Sequence, residues 1–357
     1  MGMTPAFSLA ANNHDITGVV TERISSLTLT TEMEHQSDEL CLTLWNTDPD
    51  TPLHKPPTGA VLTLALGYAD DDALCDMGSF VVSSLSGRGG KMSGRIMEIR
   101  ARSVPYSETP DGISGFQTQK TRSWRKGTTI GDMVSKMAAD HGMKAGVSSS
   151  LSGIHLQHFD QVEESDISFL QKLASSYDAV AKAAGGKLLF LSRGDAQSAS
   201  GRDIPPVSLT STQVSEWSWS EDRHITPGTV VALYHATRQA RTYAVSVGSG
   251  EPVRRLKRKF RTVEDARAAA QAEMGRRARG SMGLILTLPG DASLNGGSPL
   301  VLDDSFDEGV DGNWIVRRAT HRISKEEGFV TELACERPNN DSTVQTLVNG
   351  PVQVDGL

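Results

Sequence analysis

Two stretches decide the reading of this chain: "GSFVVSSL", residues 78–85, and "GNWIVRRA", residues 312–319. Each opens on glycine and continues with a small polar residue, an aromatic, a β-branched pair, two polar residues and an apolar one. Twenty residues beyond Gly78 stands Glu98 in "IMEIRA", and twenty beyond Gly312 stands Glu332 in "VTELAC", each followed by an apolar residue in a strand-like run. Upstream, "GAVLTLAL" (59–66) has a counterpart in "GSPLVLDD" (297–304), with intervening loops of different length. A register kept across a whole hairpin predicts a duplicated β domain, against the plainer reading that any two hairpins look alike. Two similar units in one chain would give a closed trimer six similar units about its axis, a way to join a threefold object to a sixfold one.

Around these stretches the period is that of strands. Leu40, Leu42 and Leu44 alternate with Cys41 and Thr43, and Leu62, Leu64 and Leu66 with Thr63 and Ala65, as in a half-buried antiparallel sheet. Turn-rich breaks fall at "NTDPDTPLHKPPTGA" (46–60) and "SGRGGKMSG" (86–94). From about 120 to 195 the period lengthens. Ile130, Val134, Met137 and His141 lie on one helical stripe, with Thr129 as cap and Gly142 as stop. Ile167, Leu170, Leu173, Ala174 and Tyr177 form another, capped by Ser165 or Asp166 and expected to pack on the strand "GGKLLFLS". Strands return over 206–260. Then "TVEDARAAAQAEMGRRARG" (262–280) predicts a long helix, with Thr262 and Asp265 as an approximate capping box, Arg276, Arg277 and Arg279 at its negative end, and Gly280 as its stop. The expected fold is mainly β with an α+β middle: a small β-barrel domain over 1–108, a mixed middle domain over 109–205, a second, similar barrel over 206–338 with the inserted helix 262–280, and a polar tail over 339–357.

Length and composition exclude several classes. At 357 residues two or three packed units are expected. The 36 basic and 43 acidic residues give a net charge of −7, which argues against recognition of a nucleic-acid backbone. Cys41, Cys75 and Cys335 are far apart and form no CxxC, so neither a disulfide framework nor a zinc site is expected. No window nears the ~18 apolar residues of a membrane span, and the N-terminus lacks the basic and apolar regions of a leader, so cytoplasmic synthesis without stable membrane insertion is expected.

Few residues suggest chemistry. Glu163, Glu164 and Asp166 could serve as acid and base in glycan cleavage, but three acids at a helix start complement its exposed amides, at ~0.3–1 kcal/mol each, and capping is the preferred reading. His155 and His158 form an HxxH in a segment that reads as loop and strand. "SGRGGKMSG" lacks the phosphate-loop spacing, and neither Asp70, Asp71 and Asp72 nor "LDDSFDEGVDG" (302–312) has the alternation of a calcium loop. The basic run Arg254, Arg255, Lys257, Arg258 and Lys259 reads as a charged edge strand, or as a surface facing an acidic partner. Trp217, Trp219 and Trp314 are candidate interface anchors, or ordinary core residues. No catalytic, cofactor-binding or metal-binding residue is assigned.

The run "TVEDARAAAQAEMGRRARGSMGLILTLPGDASLNGGSPLVL" (262–302), followed by "VDGNWIVRRATHRISKEEGFVTELACE" (310–336), resembles the late control D protein family, baseplate hub proteins of contractile phage tails and tail-like bacteriocins. The front, in "VTERISSLTLTTEMEHQSDELCLTLWNTDPD" (20–50) and "DMGSFVV" (76–82), and the middle, in "ESDISFLQKLA" (164–174), are similar too, so the resemblance runs to about residue 338. It implies a structural protein of the virion or bacteriocin particle and not an enzyme. Three copies would form a pseudo-sixfold ring of two related barrels each, joining a hexameric tail tube to a trimeric spike among other baseplate proteins. The N-terminal hub region of type VI secretion spike proteins is similar, but there the spike continues the same chain. Only some twenty residues follow Glu336 here, so a separate spike protein is expected. The alternative is a tail protein that binds or degrades peptidoglycan, suggested by a faint likeness of "TTIGDMVSKMAADHGM" (128–143) to a glycan-binding LysM repeat.

Overall fold

The computed structural model describes residues 4–33, 37–46, 52–57, 59–90, 94–103, 118–184, 186–193, 204–222, 227–236, 241–338 and 348–353. The expected boundary at 108/109 and most of the C-terminal tail lie outside these residues. Among them the chain is mainly β. No described helix is long and apolar enough to cross a membrane.

The first module comprises β1 (Pro5–Ala11), β2 (His14–Asp15), α1 (Thr17–Arg23), β3 (Ile24–Glu32), β4 (Glu39–Trp45), β5 (Val61–Tyr68), β6 (Cys75–Gly90) and β7 (Gly94–Arg102). The alternation expected of β4 and β5 is observed: Leu40, Leu42, Leu44, Leu62, Leu64 and Leu66 are all buried. They share one apolar cluster with Leu27, Leu29, Phe80, Val82 and Ile99. Each leucine buried in this way contributes roughly 1.5–3 kcal/mol, so the period-2 pattern is the main force that fixes which face turns inward. Of "SGRGGKMSG", residues 86–90 end β6 and Gly94 opens β7, Gly90 pairing with Gly94.

A middle unit follows: β8 (Gln119–Trp124), α2 (Ile130–Asp140), β9 (Lys144–Val147), α3 (Ser149–Ser152), β10 (Phe159–Ser165), α4 (Asp166–Ser176), β11 (Ala179–Ala184) and β12 (Lys187–Ser192). Thr129 caps α2, its hydroxyl accepting from Asp132 N at 3.0 Å, and Ser165 caps α4, accepting from Ser168 N at 3.3 Å. Ile130, Met133, Val134 and Met137 of α2 meet Phe169, Leu170 and Leu173 of α4 in one core with Leu188 and Phe190 of β12.

The rest of the chain comprises β13 (Val207–Leu209), β14 (Glu216–Glu221), β15 (Thr229–Ala236), β16 (Arg241–Gly248), β17 (Val253–Phe260), α5 (Val263–Gly280), β18 (Met282–Pro289), β19 (Pro299–Leu302), β20 (Gly312–Ser324), β21 (Gly328–Glu336) and β22 (Val348–Gln353). The duplication is written into its register. Gly78 and Gly312 both have φ near +95°, at 95° and 94°, a region that suits glycine because it has no Cβ. Val82 pairs with Ala101 and Ser86 with Glu98; 234 residues on, Val316 pairs with Cys335 and Thr320 with Glu332. Both strands carry a bulge at the same place, between Val82 and Ser84 and between Val316 and Arg318. Phe80 and Trp314, both buried, fill the corresponding core position. The order β3-β4-β7-β6-β5 thus recurs as β14-β18-β21-β20-β19.

Three expectations need correction. Among the described residues the modules are not two closed barrels but parts of one 13-stranded sheet, in the order β14-β18-β21-β20-β3-β4-β7-β6-β5-β1-β2, with β19 and β13 branching from β20. The cause is the length of β20: β19 covers only residues 312–315, and the N–H and C=O groups of 318–324 are satisfied by β3, which pairs Arg318 with Glu32 through Ser324 with Ser26. Second, β15, β16 and β17 do not belong to the second module. With β22 they form a separate four-stranded sheet, in the order β17-β15-β16-β22, covered by α5 around Val230, Val245, Ala266 and Ala270. The insertion is therefore a sheet-and-helix unit set between β14 and β18, not the helix 262–280 alone. Third, residues 348–353 of the expected tail pair with β16.

Candidate functional site

The acidic stretch ahead of α4 builds an internal tie, not a reactive pair. Asp166 is fully buried. Its Oδ2 accepts from Lys120 Nζ at 2.8 Å and lies 2.8 Å from His141 Nε2, while Oδ1 accepts from Arg122 Nη2 and from Gln161 Nε2 at 2.8 Å. Burial pushes its pKa up, yet the bonds from Lys120, Gln161 and His141 and the charge of Arg122 outweigh it and hold the carboxyl below its usual range. Glu164 is likewise held low: burial raises it, and bonds from Lys172 and Ser168 overcome that. A glycosidase acid needs a raised pKa, so these two groups are set the wrong way for proton donation. Glu163 lies in the β10 bulge with φ 48°. Ser165, and not Asp166, is the cap, and Asp166 does more than complement the helix dipole. His141 also departs from expectation: it ends α2 and serves this network instead of the apolar stripe.

The histidines of the HxxH do not converge. His155 Nδ1 lies 3.0 Å from Gly127 O, and His158 Nε2 lies 3.0 Å from Asp160 Oδ1. Among the described residues no three His, Cys, Asp or Glu side chains gather in a metal-binding group. Asp71 accepts from Tyr68 N at 2.8 Å, and in the 302–312 loop Asp303 accepts from Ser305 N at 3.1 Å and Asp311 from Gly309 N at 3.2 Å, so these acids hold their own turns.

What the polar residues do is fasten units together. Lys182 of β11 donates to Glu32 O at 2.7 Å and Asp38 Oδ1 at 2.9 Å, tying the middle unit to the first module. Arg279, buried at the end of α5, grips Asp178 with both terminal nitrogens, one at 2.7 Å, tying the inserted unit to the turn after α4. Arg276 and Arg277 instead pair with Glu273. The basic strand is the outer strand β17, as expected of a charged edge; Arg254 meets Glu273, and Arg261 just beyond it donates to His158 O at 3.1 Å. Lys182 and Asp178 gave no signal in the sequence, because their partners lie about a hundred residues or more away.

The tryptophans divide. Trp314 is core, its indole donating to Val310 O at 2.7 Å. Trp217 packs edge-on against Phe306, and Trp219 is 45% exposed, its indole N–H held by Asp307 Oδ2 at 3.0 Å. The large sheet has a polar face opposite its cores. Thr287, Thr320, Arg322 and Glu332 line a shallow depression of about 260 Å³ there, and Thr43, Ser86, Arg88 and Glu98 take the corresponding places in the first module.

The family model for the phage tail baseplate hub (GPD) matches residues 110–327. The chain belongs to the phage tail baseplate hub family. It is 30% identical to the "Probable baseplate hub protein" of Escherichia phage 186, over 94% of this chain and 93% of that protein, and 28% identical to the protein of the same description from Escherichia phage P2, over 96% of each. In fold it is similar to the 43 kDa tail protein of prophage MuSo2 from Shewanella oneidensis, with TM-score 0.70, 14% identity and coverage of 94% and 99%. It is also similar to an E. coli type VI secretion component described as resembling T4 tail proteins gp27 and gp5, with TM-score 0.52, 9% identity and coverage of 89% and 74%. The hub is thus a phage tail component of a baseplate family, as the sequence led one to expect.

Proposed function

We propose that this hub is the structural adaptor of a contractile tail: three copies form a pseudo-sixfold ring that meets a hexameric tube on one side and a trimeric spike on the other. The observation that carries this reading is the duplication, which matches in register, in bulge and in glycine conformation. Two near-equivalent modules per chain let three chains offer six similar contacts while keeping threefold contacts elsewhere. The polar sheet face, rich in Ser, Thr and paired charges, suits the wall of a hydrated channel. Its function is mechanical: axial force passes between tube and spike, the ties at Lys182 and Arg279 keep the units of each chain from shearing apart, and the network at Asp166 holds the middle unit together.

The test is the mass of the purified hub in solution, alone and with its cognate spike, together with retention by cell-wall sacculi. A trimer that binds the spike supports the adaptor. A monomer retained by sacculi would favour the glycan-directed reading instead.

A further inference from the structure

Among the described residues the sheet leaves two stretches unpaired on one side, 84–90 of β6 and β14, for which the chain itself contains the template of a junction. In β20 the first half pairs with β19, while 318–324 pair with β3 of the other module. In β6 the first half pairs with β5, but 84–90 pair only with β7, and their other edge is open among the described residues. The counterpart of β3 is β14: Leu27 and Leu29 lie opposite Leu42 and Leu40 of β4, as Trp217 and Trp219 lie opposite Leu286 and Leu284 of β18. β14 pairs only with β18, and it is the outermost strand.

We infer that β6 of one copy and β14 of the next pair as β20 and β3 do within the chain, which names the contact by which the proposed ring closes and rests on that reading. Carrying the internal register across places Ser86 opposite Ser220, Gly87 opposite Trp219, Arg88 opposite Ser218 and Gly89 opposite Trp217. The side chains fit in a way the internal junction does not require. Within the chain Leu29 and Leu27 meet His321 and Ile323; between chains two indoles meet two glycines, large against small where medium met medium. Trp219 is already held at the edge by Asp307, so little freedom remains for it to lose on docking. Gly87 has room within its own chain, since an added Cβ would meet nothing nearer than Ile96 O at 3.7 Å. Arg88 falls diagonal to Glu216 on the polar face, within reach of an ion pair. At the far end the match weakens: Leu85 meets Glu221 where Ala319 meets Thr31. Pairing also removes the liability of an open edge at residues 84–90. The contact is head-to-tail, so it builds a closed ring if its rotation closes.

Cysteine pairs test it in the full chain, with the exposed Cys75 replaced by Ser. Under mild oxidation Ser86→Cys with Ser220→Cys should give covalent multimers on a non-reducing gel. The equivalent internal pair, Thr320→Cys with Thr30→Cys, should close within one chain and shows that the geometry accepts a disulfide. Gly87→Leu should leave the chain folded, with an unchanged circular dichroism spectrum, and weaken self-association at least tenfold, because its side chain occupies the place of the neighbour's Trp219. Multimers by mass without the Ser86–Ser220 link, or association untouched by Gly87→Leu, would overturn the edge pairing and leave the ring standing. A protein that stays monomeric at all concentrations would overturn both.

Discussion

His321 offers a direct measure of how the two modules are held together. It lies in β20 opposite Leu29 of β3, fully buried, with Nδ1 3.0 Å from Thr331 Oγ1 and its ring against Phe329. Burial lowers its pKa from 6.5 to about 4, against smaller opposing effects of the Leu294 backbone and the Asp291 charge. The folded hub therefore holds this imidazole neutral at pH values where the unfolded chain protonates it. Stability from this source is complete above pH 6.5 and drains away as pH falls towards 4. Linkage gives a loss of about 2 kcal/mol between pH 7 and pH 5, tending to about 3 kcal/mol in stronger acid. Urea unfolding at pH 7, 6 and 5, at one fixed protein concentration, measures it against His321→Leu. Ionisable groups remote from His321 contribute equally to both proteins and cancel in the difference, while the lost Thr331 bond shifts the variant by an amount independent of pH. The gap between the two should thus close by about 2 kcal/mol as pH falls to 5. Parallel curves would refute the reasoning and place His321 in a wetter or better-partnered site than the junction provides.

Other perturbations probe separate parts. Trp314→Ala should lower stability by ~3–5 kcal/mol, read from denaturant midpoints, since a buried indole and its bond to Val310 are both lost. Asp166→Asn should cost ~2–4 kcal/mol, near the lower end for a broken buried ion pair because the Arg122 and Lys120 side chains keep 20% and 30% of their exposure; a change below about 0.5 kcal/mol, ordinary for a surface site, would return Asp166 to a simple capping role. Gly78→Val and Gly312→Val should each cost ~1–3 kcal/mol through the left-handed backbone at both sites. Markedly unequal costs would count against the equivalence of the modules.

Much of this was legible because strand alternation is local. Leu40, Leu42 and Leu44 declare a buried face within five residues, and the paired runs at Gly78 and Gly312 declared the duplication with its hairpin register. The single sheet was not legible, because it depends on residues 26–32 meeting 318–324. The inserted unit escaped for a similar reason. Strands β15, β16 and β17 have the composition of their neighbours, and only the parallel pairing of β15 with β17 beneath α5 sets them apart. At Asp166 the sequence supplied the acid but not its cations, since Lys120 and Arg122 sit more than forty residues earlier on β8. His141 read as part of an apolar stripe by spacing alone, although its ring faces that carboxylate.

The corresponding hairpins of the two modules differ in one large respect. Six residues, 33–38, separate β3 from β4 in the sequence, whereas β15, β16, β17 and α5 stand between β14 and β18. In a ring of three, such bulk would stand at alternate positions around the circumference, like three teeth on a six-sided nut. A partner with six identical subunits would be excluded from that rim by half its contacts, and one with three would find a keyway.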